Sequence, residues 1–408
     1  LSILREREVE ARLIPVPGGP PVVYGTIKGR SDQTLLFYNH YDVQPAEPLE
    51  LWESSPFEPA RRDGKLYARG ASDNKSDLAA RLEAIQALRD VEGELPVSIT
   101  FVWEGEEESG SRHFPEFVRT HADLLRADVC LSEGTHPDRN GRPVLICGVK
   151  GLLYVELEAK AAVIDTHSMY APVVPSGVWK LVRALSTLKD RSERVLIDGF
   201  YEDVRPLSQA DLEAIRSMPD EDEALRETFG LPAFLDGLRG DAWRERLYSA
   251  PTCNICGILT GYTGPGPKTV LPAAARAKID FRLVPDQDPA DILAKLRRHL
   301  ERHGFGDLSL TVLGEEPPQR TPLTHPSVRL VADTAQEFYD AAPILVPTAA
   351  GTAPMAAIAD IGVPVFFPPG GAGYQGSQIH APNEHIRMAD LAEAIKITAR
   401  LMQRIGGR

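Results

Sequence analysis

Residues 34–42, TLLFYNHYD, place an apolar run directly before a histidine and an aspartate. The apolar run has the composition of a buried strand. Residues 76–91 then place leucine and isoleucine on one helical face, and residues 97–103, VSITFVW, form the next strand. Strands that alternate with helices predict an α/β fold, with a mostly parallel sheet that has helices on both faces.

The middle of the chain has a different pattern. Residues 153–160 and 275–283 alternate apolar and polar side chains, which is typical of half-exposed antiparallel strands. The βα pattern returns after a proline pair near the end of this segment. We therefore predict an α/β domain built from residues 1–151 and 317–408, interrupted by an inserted α+β domain at residues 152–316.

Composition narrows the class of protein. The chain has 408 residues, 43% hydrophobic and 25% charged, which predicts a folded protein of two or three domains. The net charge of −13 argues against nucleic acid or an anionic membrane as a partner. No apolar run approaches the ~18 residues that span a bilayer. Four cysteines and no signal-type leader predict a reducing, cytoplasmic compartment.

Acidic and histidine side chains follow the predicted strands where each strand ends. Five separate segments carry them: His40 and Asp42, Asp73, Glu104 with Glu106 to Glu108, Glu133, and His380. In open α/β sheets, ligands bind beyond the carboxyl ends of the strands, so these side chains are expected at one edge. Each signal alone also fits solvated surface charge, and the case depends on their convergence.

Converging carboxylates repel one another by several kcal/mol unless a cation lies among them. Two imidazoles with several carboxylates suit Zn²⁺, Mn²⁺ or Co²⁺. One carboxylate can bridge two such ions, which acidify water and polarise a carbonyl. Asp42 can fix the tautomer of His40, and of the adjacent Glu107 and Glu108 one can bind metal while the other acts as general base.

At these residues the sequence resembles the M20 metallopeptidase family. The matching segments run in family order over nearly the whole chain: NHYDVQP (39–45), LYARGASDNKSD (66–77), EGEEESGS (104–111), LSEG (131–134), DTHS (165–168), PTCNICGI (251–258), GPGPKTVLP (264–272), DFRLVP (280–285) and SQIHAPNEH (377–385). The EGEEESGS and GPGPKTVLP segments are most similar to the carnosinase-like dipeptidase branch.

The resemblance implies two divalent metal ions in each subunit, most suitably zinc, with manganese or cobalt as alternatives. It implies that His40, Asp73 and Glu133 hold one ion, and that Glu108 and His380 hold the second together with Asp73, which bridges the two.

The resemblance also implies catalytic roles. Glu107 would be the general base that deprotonates a metal-bridging water, and Asp42 would orient the imidazole of His40. The family usually has a cis peptide after the bridging aspartate, here Asp73–Asn74.

The inserted domain would be the family's lid and dimerisation domain. His167 would reach the active site of the partner in a homodimer and stabilise the oxyanion. The resemblance implies that Asn254, Arg282, Gly351 and Thr352 contact substrate.

The sequence departs from the family pattern at residues 347–350, Pro-Thr-Ala-Ala, where carnosinase-like members carry an arginine that contacts the substrate carboxylate. We predict metal-dependent hydrolysis of a peptide or N-acyl amide bond in a small substrate, a dipeptide or an N-acyl amino acid. The alternatives are an aminoacylase or deacylase, an exo-carboxypeptidase and a non-catalytic metal-binding relative. GAGYQG, residues 371–376, matches a dinucleotide fingerprint, but that interpretation requires a helix directly after it.

Overall fold

The computed structural model describes residues 1–407. Its helices are α1 Ser2–Glu6, α2 Ser76–Glu92, α3 Phe114–Thr120, α4 Gly177–Leu185, α5 Gln209–Ser217, α6 Asp222–Phe229, α7 Asp241–Ser249, α8 Pro289–Arg302, α9 Pro326–Ala335, α10 Ala356–Asp360 and α11 Met388–Ile405. Its strands are β1 Glu10–Ile14, β2 Val22–Ile27, β3 Thr34–His40, β4 Ala60–Arg62, β5 Lys65–Tyr67, β6 Ser98–Glu104, β7 Val129–Leu131, β8 Val144–Ile146, β9 Gly148–Val149, β10 Gly151–Lys160, β11 Thr166–His167, β12 Thr252–Thr260, β13 Val270–Leu271, β14 Ala274–Leu283, β15 Ser309–Glu316, β16 Gln319–Arg320, β17 Ile344–Val346, β18 Val365–Phe366 and β19 His385–Arg387.

The largest sheet has the order β1-β2-β6-β3-β7-β18. Strand β3 pairs in parallel with β6 and β7, and β18 pairs in parallel with β7. The hairpin β1–β2 extends the sheet in the antiparallel sense. The predicted α/β class with a mostly parallel sheet is therefore confirmed. The hairpin was not predicted, because Pro15, Pro17 and a Gly-Gly-Pro-Pro run interrupt the sequence pattern there.

Helices cover both faces of this sheet, as predicted. On one face, α2, α9 and α11 pack their apolar sides against β3 and β6, where Phe37 and Phe101 are buried. On the other face, α3 and α10 pack against Tyr38 and Val102. Neighbouring residues of one strand point to opposite faces, so each strand serves two cores. Helix α2 ends at Gly93, whose φ of 80° suits glycine.

The predicted insertion contains a second sheet of order β12-β14-β10-β15, with antiparallel pairing throughout. Helices α4 and α8 pack on one face of it, over fully buried residues such as Leu157 and Phe281. Helix α8 begins at a well-defined cap, in which the Asp288 carboxylate accepts from the Asp291 amide at 2.8 Å and Pro289 takes the first helical position.

Contacts of helix α5 join this segment to the rest of the chain. Strands β9 and β16, which flank the segment in sequence, pair with each other just outside it. Helix α5 lies within the predicted insertion but packs Ile215 against Ile344 and Val346 of β17. Asp211 of α5 also forms a buried ion pair with Arg320 of β16. The segment around α5 thus shares a hydrophobic core with β17, which lies outside the predicted insertion. Among the described residues, no helix is both long and apolar enough to cross a bilayer.

Candidate metal centre

The centre is built at the carboxyl ends of β3, β6 and β7. His40 is the last residue of β3 and is completely buried. Its register partner on β6 is Glu104, so the turn that carries Glu107 and Glu108 begins beside it. Glu133 follows β7 by two residues, and its carboxylate lies 3.7 Å from His40 Nε2. Parallel strands that end together explain why residues distant in sequence meet.

Asp73 lies at the middle of the centre. Its Oδ1 atom is 3.0 Å from His40 Nε2, and its Oδ2 atom is 2.9 Å from His380 Nε2. Burial by itself would raise the pKa of Asp73, but its hydrogen bonds to the two imidazoles hold it far below the usual range. The Asp73–Asn74 peptide is cis, as the family resemblance predicts.

Glu108 closes the group on the His380 side. Its Oε2 lies 3.1 Å from His380 Nε2, and Gln44 donates to the same carboxylate from its backbone and its side chain at 3.2 and 2.9 Å. Ligand atoms of His40, Asp73 and Glu108 all lie within 4.8 Å of one another. Three carboxylates and two imidazoles thus meet in one small volume.

Asp42 orients two members of the group. Its Oδ1 is 3.2 Å from His40 Nδ1, and its Oδ2 accepts from the Glu108 amide at 3.0 Å. Burial lowers the pKa of His40, but the hydrogen bonds to Asp42 and Asp73 and the nearby carboxylates outweigh it and raise the pKa to about 11. A carboxylate behind a ligating imidazole fixes the ring and its tautomer.

The electrostatics of the centre fit bound metal. Burial raises the pKa of Glu107 to about 7, and the carboxylates of Asp73 and Glu108 add to the rise. Burial also raises the pKa of Glu133 well above its usual value, with Glu107 and Asp73 adding to it. No lysine or arginine forms an ion pair with His40, Asp73, Glu107, Glu108 or Glu133 among the described residues. The donor set is all oxygen and nitrogen, which suits Zn²⁺, Mn²⁺ or Co²⁺.

Comparison with known proteins agrees with this geometry. The family profile described as "Peptidase family M20/M25/M40" matches residues 36–404. The chain belongs to this peptidase family. Among solved structures, the M20 family metallo-carboxypeptidase Sso-CP2 from Sulfolobus solfataricus is 40% identical with a TM-score of 0.93, covering 99% of this chain and 92% of that one.

Curated M20 relatives include dipeptidases. The Beta-Ala-His dipeptidase of Homo sapiens is 32% identical over 287 residues, which cover 69% of this chain and 56% of the human protein. The Cys-Gly metallodipeptidase dug1 of Schizosaccharomyces pombe is 30% identical over 291 residues, covering 69% of this chain and 60% of that protein. The chain thus spans less than two thirds of the length of these relatives.

The glycine-rich loop of this M20 chain brings backbone close to the ligand segments. A Cβ atom on Gly371 would lie 2.2 Å from the carbonyl oxygen of Gly134, next to Glu133. A Cβ on Gly373 would lie 2.7 Å from Ser72 Oγ, next to Asp73. Residues 371–384 contain no helix, so the dinucleotide interpretation is wrong. These glycines allow tight packing beside the metal centre.

The residues predicted to contact substrate are spread over several elements. Arg282 of β14 donates to Thr352 Oγ1 at 2.7 Å and lies 3.4 Å from Asp280. Gly351 is beside Thr352, and its carbonyl accepts from the Lys150 amide at 2.9 Å. The structure therefore brings together the predicted residues Arg282, Gly351 and Thr352 at the junction of the two sheets.

His167 and Asn254 lie elsewhere. His167 is exposed on β11, with Nδ1 accepting from the Met169 amide at 3.1 Å and Nε2 3.3 Å from Thr269 Oγ1. Asn254 is exposed on β12, with its amide 3.8 Å from Cys256 Sγ. Within residues 1–407, neither forms a hydrogen bond with a residue of the metal centre.

Two supporting residues were missed by the sequence analysis. Arg81 of α2 is buried and donates to the carbonyl oxygens of Tyr38 and Ser132 and to the side chain of Asn39, so it ties β3 to the end of β7. Glu384 accepts hydrogen bonds from the loop that carries Asp73. Arg81 could have been recognised in the sequence as an arginine on the buried, mainly apolar face of α2. Glu384 stood within a matched motif but had no assigned role.

Glu104 supports the turn that carries Glu107. The carboxylate is buried and accepts from Tyr38 Oη at 2.7 Å and from Ser111 Oγ at 2.9 Å, through a single oxygen. The other oxygen has no hydrogen-bond partner in the described part of the chain. Burial raises the pKa of Glu104 to about 8. Glu104 ends β6 before the turn and Ser111 follows the turn, so their hydrogen bond joins its two ends, and the bond from Tyr38 ties them to β3.

We predict that Glu104→Gln changes how stability depends on pH. The folded wild type binds the Glu104 proton more tightly than the unfolded chain, so its free energy of unfolding falls as pH rises from about 5 to 8, by at most about 1.4 kcal/mol per pH unit. Glutamine does not ionise, so the free energy of unfolding of the variant should rise relative to that of wild type over this pH range. Urea unfolding in the presence of a chelator measures this. The exposed control Glu50→Gln should follow wild type, and a Glu104→Gln profile parallel to wild type would contradict the assignment.

Proposed function

We propose that the chain is a metal-dependent hydrolase that cleaves a peptide or N-acyl amide bond in a small substrate. One observation carries the proposal: nitrogen and oxygen ligands from four residues surround Asp73, and a carboxyl group with a raised pKa, Glu107, lies in the same field. Perturbed titratable groups in a convergent cluster mark a functional site more often than a structural one. We also propose that residues 152–316 act as a lid over residues 1–151 and 317–408.

The ligand assignment follows from which atoms face each other. Asp73 directs one carboxylate oxygen to His40 and the other to His380, which supports a bridging role. His40 and Glu133 would complete one cation site, and His380 and Glu108 the other. A bound pair of divalent cations supplies Lewis acidity, which acidifies water and polarises a carbonyl oxygen.

The chain's own residues would move the proton. Burial raises the pKa of Glu107 to about 7 when no cation is bound, and its carboxylate would accept a proton from the attacking water and return it to the leaving amine. Asp42 would keep the Nε2 atom of His40 directed at the centre by holding Nδ1. Glu104 would keep the Glu107 turn in place through Ser111.

We propose that the substrate is a short peptide with a free carboxylate at its C-terminus. The relatives named above are dipeptidases, and the protein of the solved structure at 40% identity is a metallo-carboxypeptidase. Residues 347–350 carry no arginine, whereas Arg282 lies against Thr352 at the end of the same loop. Arg282 is therefore our candidate for the carboxylate contact. The similarity to a metallo-carboxypeptidase supports an exo-carboxypeptidase as the second candidate function.

We further propose a homodimer formed through the lid. Strand β12 is an edge strand, with Ile258 54% and Leu259 70% exposed. Trp179 and Val182 on α4 are exposed as well, 63% and 42%. Exposed large apolar side chains, such as these on β12 and α4, commonly mark an interface. His167 would then complete the site of the partner subunit and stabilise the developing oxyanion.

We predict that Glu107→Gln keeps its metal and loses turnover. Glutamine preserves the shape of the side chain but cannot take a proton, so kcat should fall by about 10²–10⁴-fold. The assay uses free dipeptides, C-amidated dipeptides, tripeptides and N-acetyl amino acids with Zn²⁺, Mn²⁺ or Co²⁺, and elemental analysis measures metal.

The matched control is Glu106→Gln, which alters the neighbouring carboxylate, one that bonds His113 at 3.0 Å and takes no part in the metal centre. The control should retain turnover. Preference for unblocked dipeptides would support a dipeptidase, and equal cleavage of tripeptides would support a carboxypeptidase. Wild-type activity that survives exhaustive chelation would end the proposal.

A mixing experiment tests the role of His167. In a symmetric dimer, Glu107→Gln and His167→Ala would each inactivate every site, but a mixed dimer would contain one site with both residues intact. Random exchange of subunits should therefore restore about a quarter of the wild-type specific activity. Each variant alone, taken through the same exchange, is the control. Failure of the mixture to recover activity, with mixed dimers demonstrated by tagged subunits, would rule out catalysis by His167 across the interface.

A further inference from the structure

One buried carboxylate gathers the loop that carries Asp73. The side chain of Glu384 is 1% exposed. Its Oε1 accepts from the amides of Ser72 and Asp73 at 2.8 and 2.9 Å, and its Oε2 accepts from the amide of Gly70 at 2.9 Å and from Arg69 Nη1 at 2.7 Å. Four donors around one carboxylate satisfy nearly all of its acceptor positions. The backbone of residues 69–73 therefore curves around the Glu384 carboxylate.

The cation in this arrangement also holds the segment after β3. Arg69 is buried, and its Nη2 donates to the carbonyl oxygen of Pro45 at 3.1 Å. The guanidinium also lies over the ring of Trp52, 5.4 Å from its centre. The charge of Glu384 is therefore balanced inside the protein, and the pair fixes the Asp73 loop relative to the segment that follows His40.

Glu384 is also close in sequence to the other imidazole ligand, His380. The short segment between them has an unusual backbone, because His380 and Asn383 have φ values of 61° and 62° in the left-handed region. Such conformations in residues other than glycine persist when the surroundings impose them. Asn383 is tied to the loop at Glu53 and Leu51 by hydrogen bonds of 2.9 and 2.8 Å. The His380 segment is thus anchored at its far end.

These contacts give Glu384 a specific geometric position. It bonds the backbone amide of Asp73 and is joined to His380 by a short, anchored stretch of chain. His40 and Glu133, by contrast, are placed by strands β3 and β7 and have no bond to Glu384 among the described residues. The relative position of Asp73 and His380 therefore depends on Glu384 through both residues, whereas the His40 side depends on it only through Asp73.

We infer that Glu384 is a positioning residue that sets the geometry between Asp73 and His380 and so determines the affinity of the cation site formed by Asp73, Glu108 and His380. The inference rests on the proposed metal centre and adds a residue that touches neither metal nor substrate. Partners that orient metal ligands typically change metal affinity by about 10–100-fold when they are replaced.

The test compares Glu384→Gln with Asp211→Asn. Glutamine has the shape of glutamate, but its NH₂ group would face two of the four donors, so the loop loses acceptors and charge. Asp211 is a matched control, because it is also buried, pairs with Arg320 and accepts from the Ser208 amide at 2.8 Å, yet lies on α5 away from the ligand loops.

Metal binding is measured on the full chain by titrating the metal-free protein with Zn²⁺ against a competing chelator, and by the visible spectrum of bound Co²⁺. We expect wild type and Asp211→Asn to bind two ions with the same affinities. Glu384→Gln should bind the second ion about 10–100-fold more weakly and the first ion more weakly by a smaller factor, because Asp73 serves both sites but His40 and Glu133 are held by strands. Its kcat should recover at high metal concentration, which a general folding defect would not allow.

Two outcomes separate this inference from the proposed function. If wild type binds no ion, the metal centre itself is wrong. If wild type and Glu384→Gln both bind two ions with equal affinity, only the role of Glu384 is overturned. Should Glu384→Gln fail to fold, Arg69→Gln removes the cation and leaves the three backbone bonds. It should weaken the second ion by a smaller factor, and unchanged affinities in that variant would also overturn the inference.

Discussion

The repulsion between carboxylates at one edge of the sheet is the constraint on which the rest depends. Asp73, Glu107, Glu108 and Glu133 share a volume in which burial favours their neutral forms, and pKa values rise at Glu107 and Glu133 as a result. The imidazoles of His40 and His380 relieve part of this field through direct contacts, and the pKa of His40 rises in turn. A pair of divalent cations would relieve it far more strongly. Holding these carboxylates together costs electrostatic free energy, and bound cations would offset that cost.

The rest of the fold supplies the rigidity that such a field demands. Parallel strands fix His40 and the starts of the two acidic turns, and buried polar groups fix what the strands cannot reach. Arg81 ties two strand ends, Glu104 joins the sides of the Glu107 turn, and Glu384 gathers the Asp73 loop. Each of these three side chains is buried, ionisable and hydrogen-bonded to several partners, which fits a role in position and not in chemistry. Loops alone would let the ligands move apart under their mutual repulsion.

The sequence predicted most directly those features that depend on local pattern. Strand ends located His40 and Glu133, because periodicity and composition identify a buried strand without any knowledge of its neighbours. Asp73 and His380 lie on irregular loops, and their place in a ligand set came from motif order and family resemblance. Glu384 could not have been given its role from sequence, since its four donors are more than 300 residues away. The packing of helix α5 against β17 could not be predicted for a similar reason, because the local sequence pattern does not indicate which core an amphipathic helix joins.

The most direct measurement of the central claim is a crystal structure of the zinc-loaded protein with anomalous data collected on both sides of the zinc absorption edge. Two anomalous peaks in each chain should flank the Asp73 carboxylate, one beside His40 and Glu133 and the other beside Glu108 and His380. Peaks at other positions, or none in protein whose fold is otherwise unchanged, would contradict the account.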